Sequence, residues 1–225
     1  MIEHVYRRVA EVRELDRIVV LTDDERIMDA VEAFGGEAQM TPVDCLSGTD
    51  RIAHAAADWD CQAVINVQGD EPLINPEAVA RLARLMREAP ETEMATLAAP
   101  LDPERFTDPN AVKVVLSLSG DALYFSRAAI PHRRDPDSRT TASPLLHLGL
   151  YAYRRDILLR LAKLEPTPLE LCESLEQLRA LENGIRLRVL VLDEAASPGV
   201  DTREDLERVE AELRTAPPAG PTSLT

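Results

Sequence analysis

The chain has 225 residues, 45% of them apolar and 29% charged, and its forty acids against twenty-five bases give a formal charge of −15. That composition is globular and long enough to bury a large core, while the negative balance opposes binding to a nucleic-acid backbone. No apolar run approaches the roughly 18 residues needed to cross a bilayer, the N-terminus lacks the apolar stretch of a secretory signal, and Cys45, Cys61 and Cys172 stand singly as the reduced thiols of a cytoplasmic protein, with neither disulfide nor metal spacing.

The opening MIEHVYRRVAEV carries Ile2, Val5, Val9 and Val12 at helical spacing, which predicts a chain that begins in a helix with no strand before it. RIVVLT is a short β-branched strand, and DDERIMDAVEAFGG is an amphipathic helix with an acidic start that stops at Gly35 and Gly36. The alternation continues with strand EAQM, helix TDRIAHAAADWD, strand QAVINV and helix PEAVARLARLMREA, which Pro76 opens. Such alternation predicts an α/β fold, a mostly parallel sheet with helices on both faces. AVKVVLSLSGDALYFSR reads as two strands around a Ser-Gly-Asp turn, an antiparallel insert, and PHRRDPDSRTTASP reads as a mobile loop. LGLYAYRR is then a strand, and DILLRLAKL and LELCESLEQLRALENG are helices, the second with Leu171, Leu175, Leu178 and Leu181 as its buried stripe. IRLRVLVLD is a strand, TREDLERVEAELR a last amphipathic helix, and TAPPAGPTSLT has the composition of a disordered tail. The expected division is one domain over 1–213 and a tail over 214–225.

In an open α/β sheet ligands bind beyond the carboxyl ends of the strands, the place QGDEP takes after AVINV. Gly69 permits close backbone approach and Asp70 offers a hard oxygen ligand, although a polar turn before the Pro76 helix explains the same residues. Asp201, after IRLRVLVLD and Gly199, is a second strand-end acid or an N-cap. If the two meet across the sheet they hold one Mg²⁺, an ion that keeps one or two carboxylates and takes phosphate oxygens besides. Ser47, Gly48 and Thr49 begin a helix whose free N–H groups suit a phosphate or a base edge, with Arg51 one turn inside; capping alone also accounts for them. Period-2 alternation puts His147, Gly149, Tyr151 and Tyr153 on one face, the lining of a sugar pocket or an open sheet surface. Glu176 and Gln177 read by default as solvated positions of a helix. The chain has no nucleophile elbow, Walker loop or His-Glu-x-x-His helix, so nothing supports nucleophilic catalysis.

In order, TDDERI, GGE, SGTDRI, VINVQGDEPLI, MATLAAP, NAVKVVL, ALYFSRAAIP, HLGLYAYRR, LEQLRALENG and GVDTREDLERV closely resemble the 3-deoxy-manno-octulosonate cytidylyltransferases, the CMP-Kdo synthetases of Gram-negative bacteria. QGDEP by itself suggests only a sugar nucleotidyltransferase. The resemblance runs from residue 1 to about 213 and implies a nucleotidyltransferase-like (Rossmann-like) fold. It implies that CTP and 3-deoxy-D-manno-octulosonate (Kdo) condense to CMP-Kdo and pyrophosphate for lipopolysaccharide biosynthesis, the anomeric hydroxyl attacking the α-phosphorus while Mg²⁺ offsets the developing charge. By position, it makes Asp70 and Asp201 the catalytic carboxylates that hold Mg²⁺. It gives the sugar acid to Gln68, Arg127, His147, Tyr151, Glu176 and Gln177, with Arg127 on its carboxylate, and the cytidine nucleotide to Ser47, Gly48, Thr49 and Arg51. It further implies a homodimer formed around the ALYFSR strand pair.

Members of this family open with a strand and a loop of the type Pro-Ala-Arg-x-x-Ser-x-Arg-Leu-Pro-Gly-Lys-Pro, whose arginine and lysine grip the triphosphate. Neither is present here, a difference of roughly 25 to 35 residues. The expectation is that the native polypeptide is longer, that the 225-residue form turns over CTP slowly or not at all, and that the sheet carries an unpaired slot. Alternative readings are a cytidylyltransferase for sialic acid or 8-amino-Kdo, and a truncated, non-catalytic protein that binds sugar or dimerises. A metal-dependent glycosyltransferase ranks last, because its Asp-x-Asp pair is missing at 68–72.

Overall fold

The computed structural model describes residues 1–135 and 143–193, together with Arg203, Glu207, Val209, Glu210 and Ala211. Part of the expected mobile loop (136–142), most of the expected last helix and the whole tail lie outside the described residues.

Local signals position most elements. The first helix, α1 (Ile2–Val9), buries Val5 and Val9 as its spacing requires. β1 (Val20–Thr22) leads to α2 (Glu25–Ala33), where the Asp24 carboxylate accepts from the Arg26 N–H at 2.9 Å. α2 ends in a Schellman motif: Gly36 N–H donates to Val31 O and Gly35 N–H to Glu32 O, with Gly35 at φ +81°. β2 (Ala38–Met40) and α3 (Gly48–Ala56) follow, then β3 (Ala63–Asn66) and α4 (Pro76–Glu88), which starts at a proline behind the Asn75 cap. β4 (Met94–Pro100), β5 (Lys113–Leu116) and β6 (Ala122–Ser126) precede the ten-residue β7 (Leu145–Arg154). Next come α5 (Arg155–Leu161), α6 (Pro168–Glu173), α7 (Gln177–Glu182) and β8 (Leu187–Val191).

The fold is α/β as expected, a sheet flanked by helices. Its apolar residues divide by face. Met94, Ala98, Phe125, Tyr153, Leu158, Leu178 and Leu187 pack on one side, and Val5, Val9, Val79, Leu82, Ala95, Leu97 and Leu150 on the other. The strand directions are more mixed than a mostly parallel sheet. Among the described residues β1–β2 and β4–β8 pair in parallel, whereas β7 runs antiparallel to β3, β4 and β5, and β5 runs antiparallel to β6. The cause is β7 itself, which returns through the middle of the sheet. β4 pairs along one of its edges, while β5 and β3 share the other, β5 beside Leu145 and Leu146 and β3 beside residues 151–154. The expected hairpin is present as β5–β6, turning at Gly120 with φ +85°. Among the described residues β1–β2 forms its own two-stranded sheet, separate from the six-stranded one.

A second expectation also fails. LELCESLEQLRALENG is not a single helix. It breaks at Ser174, the one non-glycine residue with positive φ among those described (+51°), so α6 and α7 point differently. Leu171 is consequently exposed at 67%, not part of a buried stripe, while Leu175 and Leu178 are buried.

Candidate active site

The carboxyl end of β3 lies beside the stretch of β7 where β3 gives way to β5 as its neighbour, a switch point of the kind that leaves a crevice in α/β sheets. Strand alternation buries Val64 and Asn66 and pairs them with Tyr153 and Tyr151. A pocket opens there, lined by Gly48, Thr49, Asn66, Gln68, Met94, Tyr151, Tyr153, Leu161, Glu176 and Gln177. Gln68 Nε2 donates to Asn66 Oδ1 at 3.3 Å, and the Tyr153 hydroxyl meets the side chains of Thr49 and Asn66. Burial, with Glu176 adding to it, raises the pKa values of both Tyr151 and Tyr153, so both phenols stay protonated at neutral pH.

Two polar residues reach the pocket because α6 and α7 break at Ser174. Glu176 and Gln177 then line its wall, and Gln177 is only 5% exposed rather than solvated. Among the described residues its Nε2 is buried with no hydrogen-bond partner, a donor at a cavity wall.

Arg127 stands beside this wall. Its Nε donates to Glu173 O (2.8 Å), Nη1 to Pro109 O (3.0 Å) and Nη2 to Ser174 O (3.4 Å). All three partners are main-chain carbonyls, so the guanidinium keeps donors beyond these for an anion. Its own main chain is held from two sides: its N–H donates to the Glu173 carboxylate at 2.9 Å, and its carbonyl accepts from Lys113 Nζ at 2.6 Å. Lys113 is fully buried, which lowers its pKa, and Nζ also donates to Asp108 O at 2.8 Å.

His147 packs its ring edge-on to Phe125 at 4.8 Å and lies 5.4 Å from Tyr151. The residue is half-buried, but these walls desolvate the imidazole and lower its pKa from 6.5 to about 3. The expected row His147, Tyr151, Tyr153 does share a face, with the Tyr151 and Tyr153 rings 6.0 Å apart, while Gly149 adds no side chain to it.

Gly48 and Thr49 line the pocket, whereas Ser47 serves as the cap of α3, its Oγ accepting from Asp50 N–H at 3.1 Å. Arg51 does not reach the pocket. It is committed to Thr41 Oγ1 and to Asp23, the latter at 2.9 Å, and so ties the ends of β1 and β2.

Asp70 lies exposed at the end of β3, its carboxylate open to solvent, and Asp201 lies outside the described residues. No group of three or more His, Cys, Asp or Glu is placed to hold a metal ion among the described residues. One open strand-end carboxylate fits Mg²⁺, which is held by few protein oxygens, and does not suit a zinc-type site.

The structure thus gathers Gln68, Gly48, Thr49, Tyr151, Glu176 and Gln177 around one cavity, with Arg127 and His147 beside it. Asn66, Tyr153, Met94 and Leu161 complete the lining. For Asn66 and Tyr153 the signal was the strand alternation; Met94 and Leu161 carry none.

The cytidylyltransferase family model matches residues 1–188. The 3-deoxy-manno-octulosonate cytidylyltransferase of Syntrophotalea carbinolica is 51% identical over 221 residues, which is 95% of this chain and 88% of that protein. That of Myxococcus xanthus is 50% identical over 215 residues, 95% and 86% of the two chains. Among solved structures, a CMP:2-keto-3-deoxy-manno-octonic acid synthetase complexed with CTP matches with a TM-score of 0.90 at 43% identity, over 95% of this chain and 87% of the other. A putative glucose-1-phosphate thymidylyltransferase from Bacillus anthracis shares the fold alone, with a TM-score of 0.62 at 15% identity over 96% and 83%.

Proposed function

This chain belongs to the 3-deoxy-manno-octulosonate cytidylyltransferase family, and from that premise we propose that it transfers CMP from CTP to Kdo, releasing pyrophosphate, in a Mg²⁺-dependent reaction that serves lipopolysaccharide biosynthesis. The observation that carries the reading is the likeness to a CTP-bound synthetase over 95% of this chain, a TM-score of 0.90 at 43% identity, with every pocket residue inside the 1–188 span that the cytidylyltransferase family model matches.

The chain's own residues suit the roles. Gln177 Nε2 supplies a buried donor that a ligand oxygen satisfies. The protonated Tyr151 phenol offers a neutral hydroxyl to a polyhydroxy acid. Arg127, beside the wall, carries the positive charge that pairs with the sugar carboxylate. Gly48 and Thr49 at the start of α3 present main-chain N–H groups to the nucleotide. Asp70 and Asp201 would hold Mg²⁺, which when bound would supply positive charge beside the nucleotide phosphates.

The protein acts as a cytoplasmic homodimer, the β5–β6 hairpin forming the contact. Leu118 and Leu123 on that hairpin are exposed at 111% and 62%, and a second copy covers them. Pyrophosphate release with CTP, Mg²⁺ and each acid in turn tests the reading. Kdo as the preferred acid supports it, and preference for sialic acid or 8-amino-Kdo overturns the substrate assignment. The same assay on a chain extended upstream of Met1 measures what residues there add to turnover.

A further inference from the structure

β4 and β7 lose register between Thr96 and Leu97. Thr96 faces Tyr151, but Leu97 faces Leu148, so Gly149 and Leu150 are extra on β7. A bulge of this kind leaves main-chain carbonyls without ladder partners. Here two of them turn onto one side chain: Leu150 O lies 2.8 Å and Leu148 O 3.1 Å from Thr96 Oγ1. The third neighbour of that oxygen is His147 Nε2, at 3.0 Å.

A threonine hydroxyl has one proton to give and otherwise accepts. Carbonyl oxygens only accept, so the proton goes to them, with Leu150 O the nearer. Nε2 must then be the donor. The reverse arrangement, with the hydroxyl donating to a bare Nε2, sets two carbonyl oxygens against Oγ1 lone pair to lone pair. Thr96 is fully buried, so water does not relieve that conflict.

We infer that Thr96 is a positioning residue that locks His147 in the Nε2–H tautomer, so that the imidazole meets the acidic sugar through Nδ1 as a hydrogen-bond acceptor and takes a hydroxyl, not the carboxylate. The second half rests on the sugar-acid reading of the site. A neutral ring agrees with this geometry, since burial keeps the imidazole unprotonated. The two anion-facing tasks are thereby divided: Arg127 takes the carboxylate and His147 a hydroxyl.

The test is two-bond ¹H–¹⁵N correlation on ¹⁵N-histidine protein, with His147→Gln to assign the signal, alongside calorimetric binding of Kdo and of CTP. The expected result is the Nε2–H pattern in the wild type and in Thr96→Ser, which keeps the hydroxyl and near-wild-type Kdo affinity. Thr96→Val loses the pure Nε2–H pattern and weakens Kdo binding about tenfold, with CTP affinity unchanged. An Nδ1–H tautomer or an imidazolium in the wild type overturns the inference, and so does a Thr96→Val protein that keeps both the Nε2–H pattern and its Kdo affinity. Should Thr96→Val not fold, the wild-type tautomer and the Thr96→Ser affinity decide. The wrong tautomer in a Kdo-binding protein counts against this inference alone. The right tautomer in a protein that does not bind Kdo counts against the sugar-acid reading and the hydroxyl assignment with it.

Discussion

Glu173 and Arg127 hold each other twice. The Glu173 carboxylate accepts the Arg127 main-chain N–H at 2.9 Å, and Arg127 Nε donates back to the Glu173 main-chain carbonyl at 2.8 Å. The carboxylate also takes the Ser126 hydroxyl at 2.6 Å, so the end of β6 and the turn after α6 are fastened as a unit. Glu173→Ala strands the Ser126 and Arg127 donors and lowers stability by about 1–3 kcal/mol in urea unfolding. Because Arg127 loses its hold, Kdo affinity falls in the same variant while CTP affinity stays near wild type.

Glu170 and Arg179 form a pair only 8% and 9% exposed, joined by two hydrogen bonds of 2.8 and 2.5 Å. Burial pushes the Glu170 carboxyl up, but the Arg179 guanidinium and the Thr167 N–H outweigh it and hold the pKa below its ordinary value. The folded state therefore gives up this proton more readily than the unfolded state. The pair contributes fully above the unfolded pKa of about 4.3 and is lost as pH falls through the lower folded value. Glu170→Gln leaves a buried charge without its counterion and costs about 3–5 kcal/mol at pH 7. The deficit against wild type shrinks in urea titrations run at progressively lower pH below 4.

Gln177 carries a buried amide donor that no group among the described residues satisfies. Gln177→Leu removes an unmet polar atom, so the thermal midpoint holds or rises. Ligand binding behaves oppositely, and the calorimetric Kd for Kdo weakens about tenfold. A variant that unfolds earlier than wild type speaks against an unmet donor.

His147 contributes a pH dependence of defined sign. The unfolded imidazole takes its proton near pH 6.5, and the folded one only at about 3. Between those values the unfolded state binds more protons, so stability declines as pH drops below 6.5. Between pH 6.5 and 5, where the carboxylates remain ionised, the urea midpoint of the wild type falls more steeply than that of His147→Asn. The ring signal of His147 does not titrate from pH 8 to 5.

Elements with strong local chemistry were readable in the sequence. Asp24 with the Gly35-Gly36 stop bounds α2, Pro76 opens α4, and Gly120 marks the hairpin, each because one residue type suits one backbone state. Three features left no local trace. Ser174 is not a residue type that advertises a left-handed turn, so the α6–α7 break looked like continuous helix and Gln177 looked solvated. Thr96 sits in a buried small-residue strand without alternation, and its importance comes from a bulge on the facing strand. Arg51 has the right place for a phosphate ligand, yet Asp23 and Thr41, 28 and 10 residues away in sequence, claim it.

The most direct test is pyrophosphate release measured with CTP, Kdo and Mg²⁺ together and with each omitted, on the wild type and on Asp70→Asn, with the product weighed by mass spectrometry. The account predicts release that requires all three components, yields CMP-Kdo and disappears in Asp70→Asn. Release that ignores Kdo, or that Asp70→Asn leaves at the wild-type rate, contradicts it.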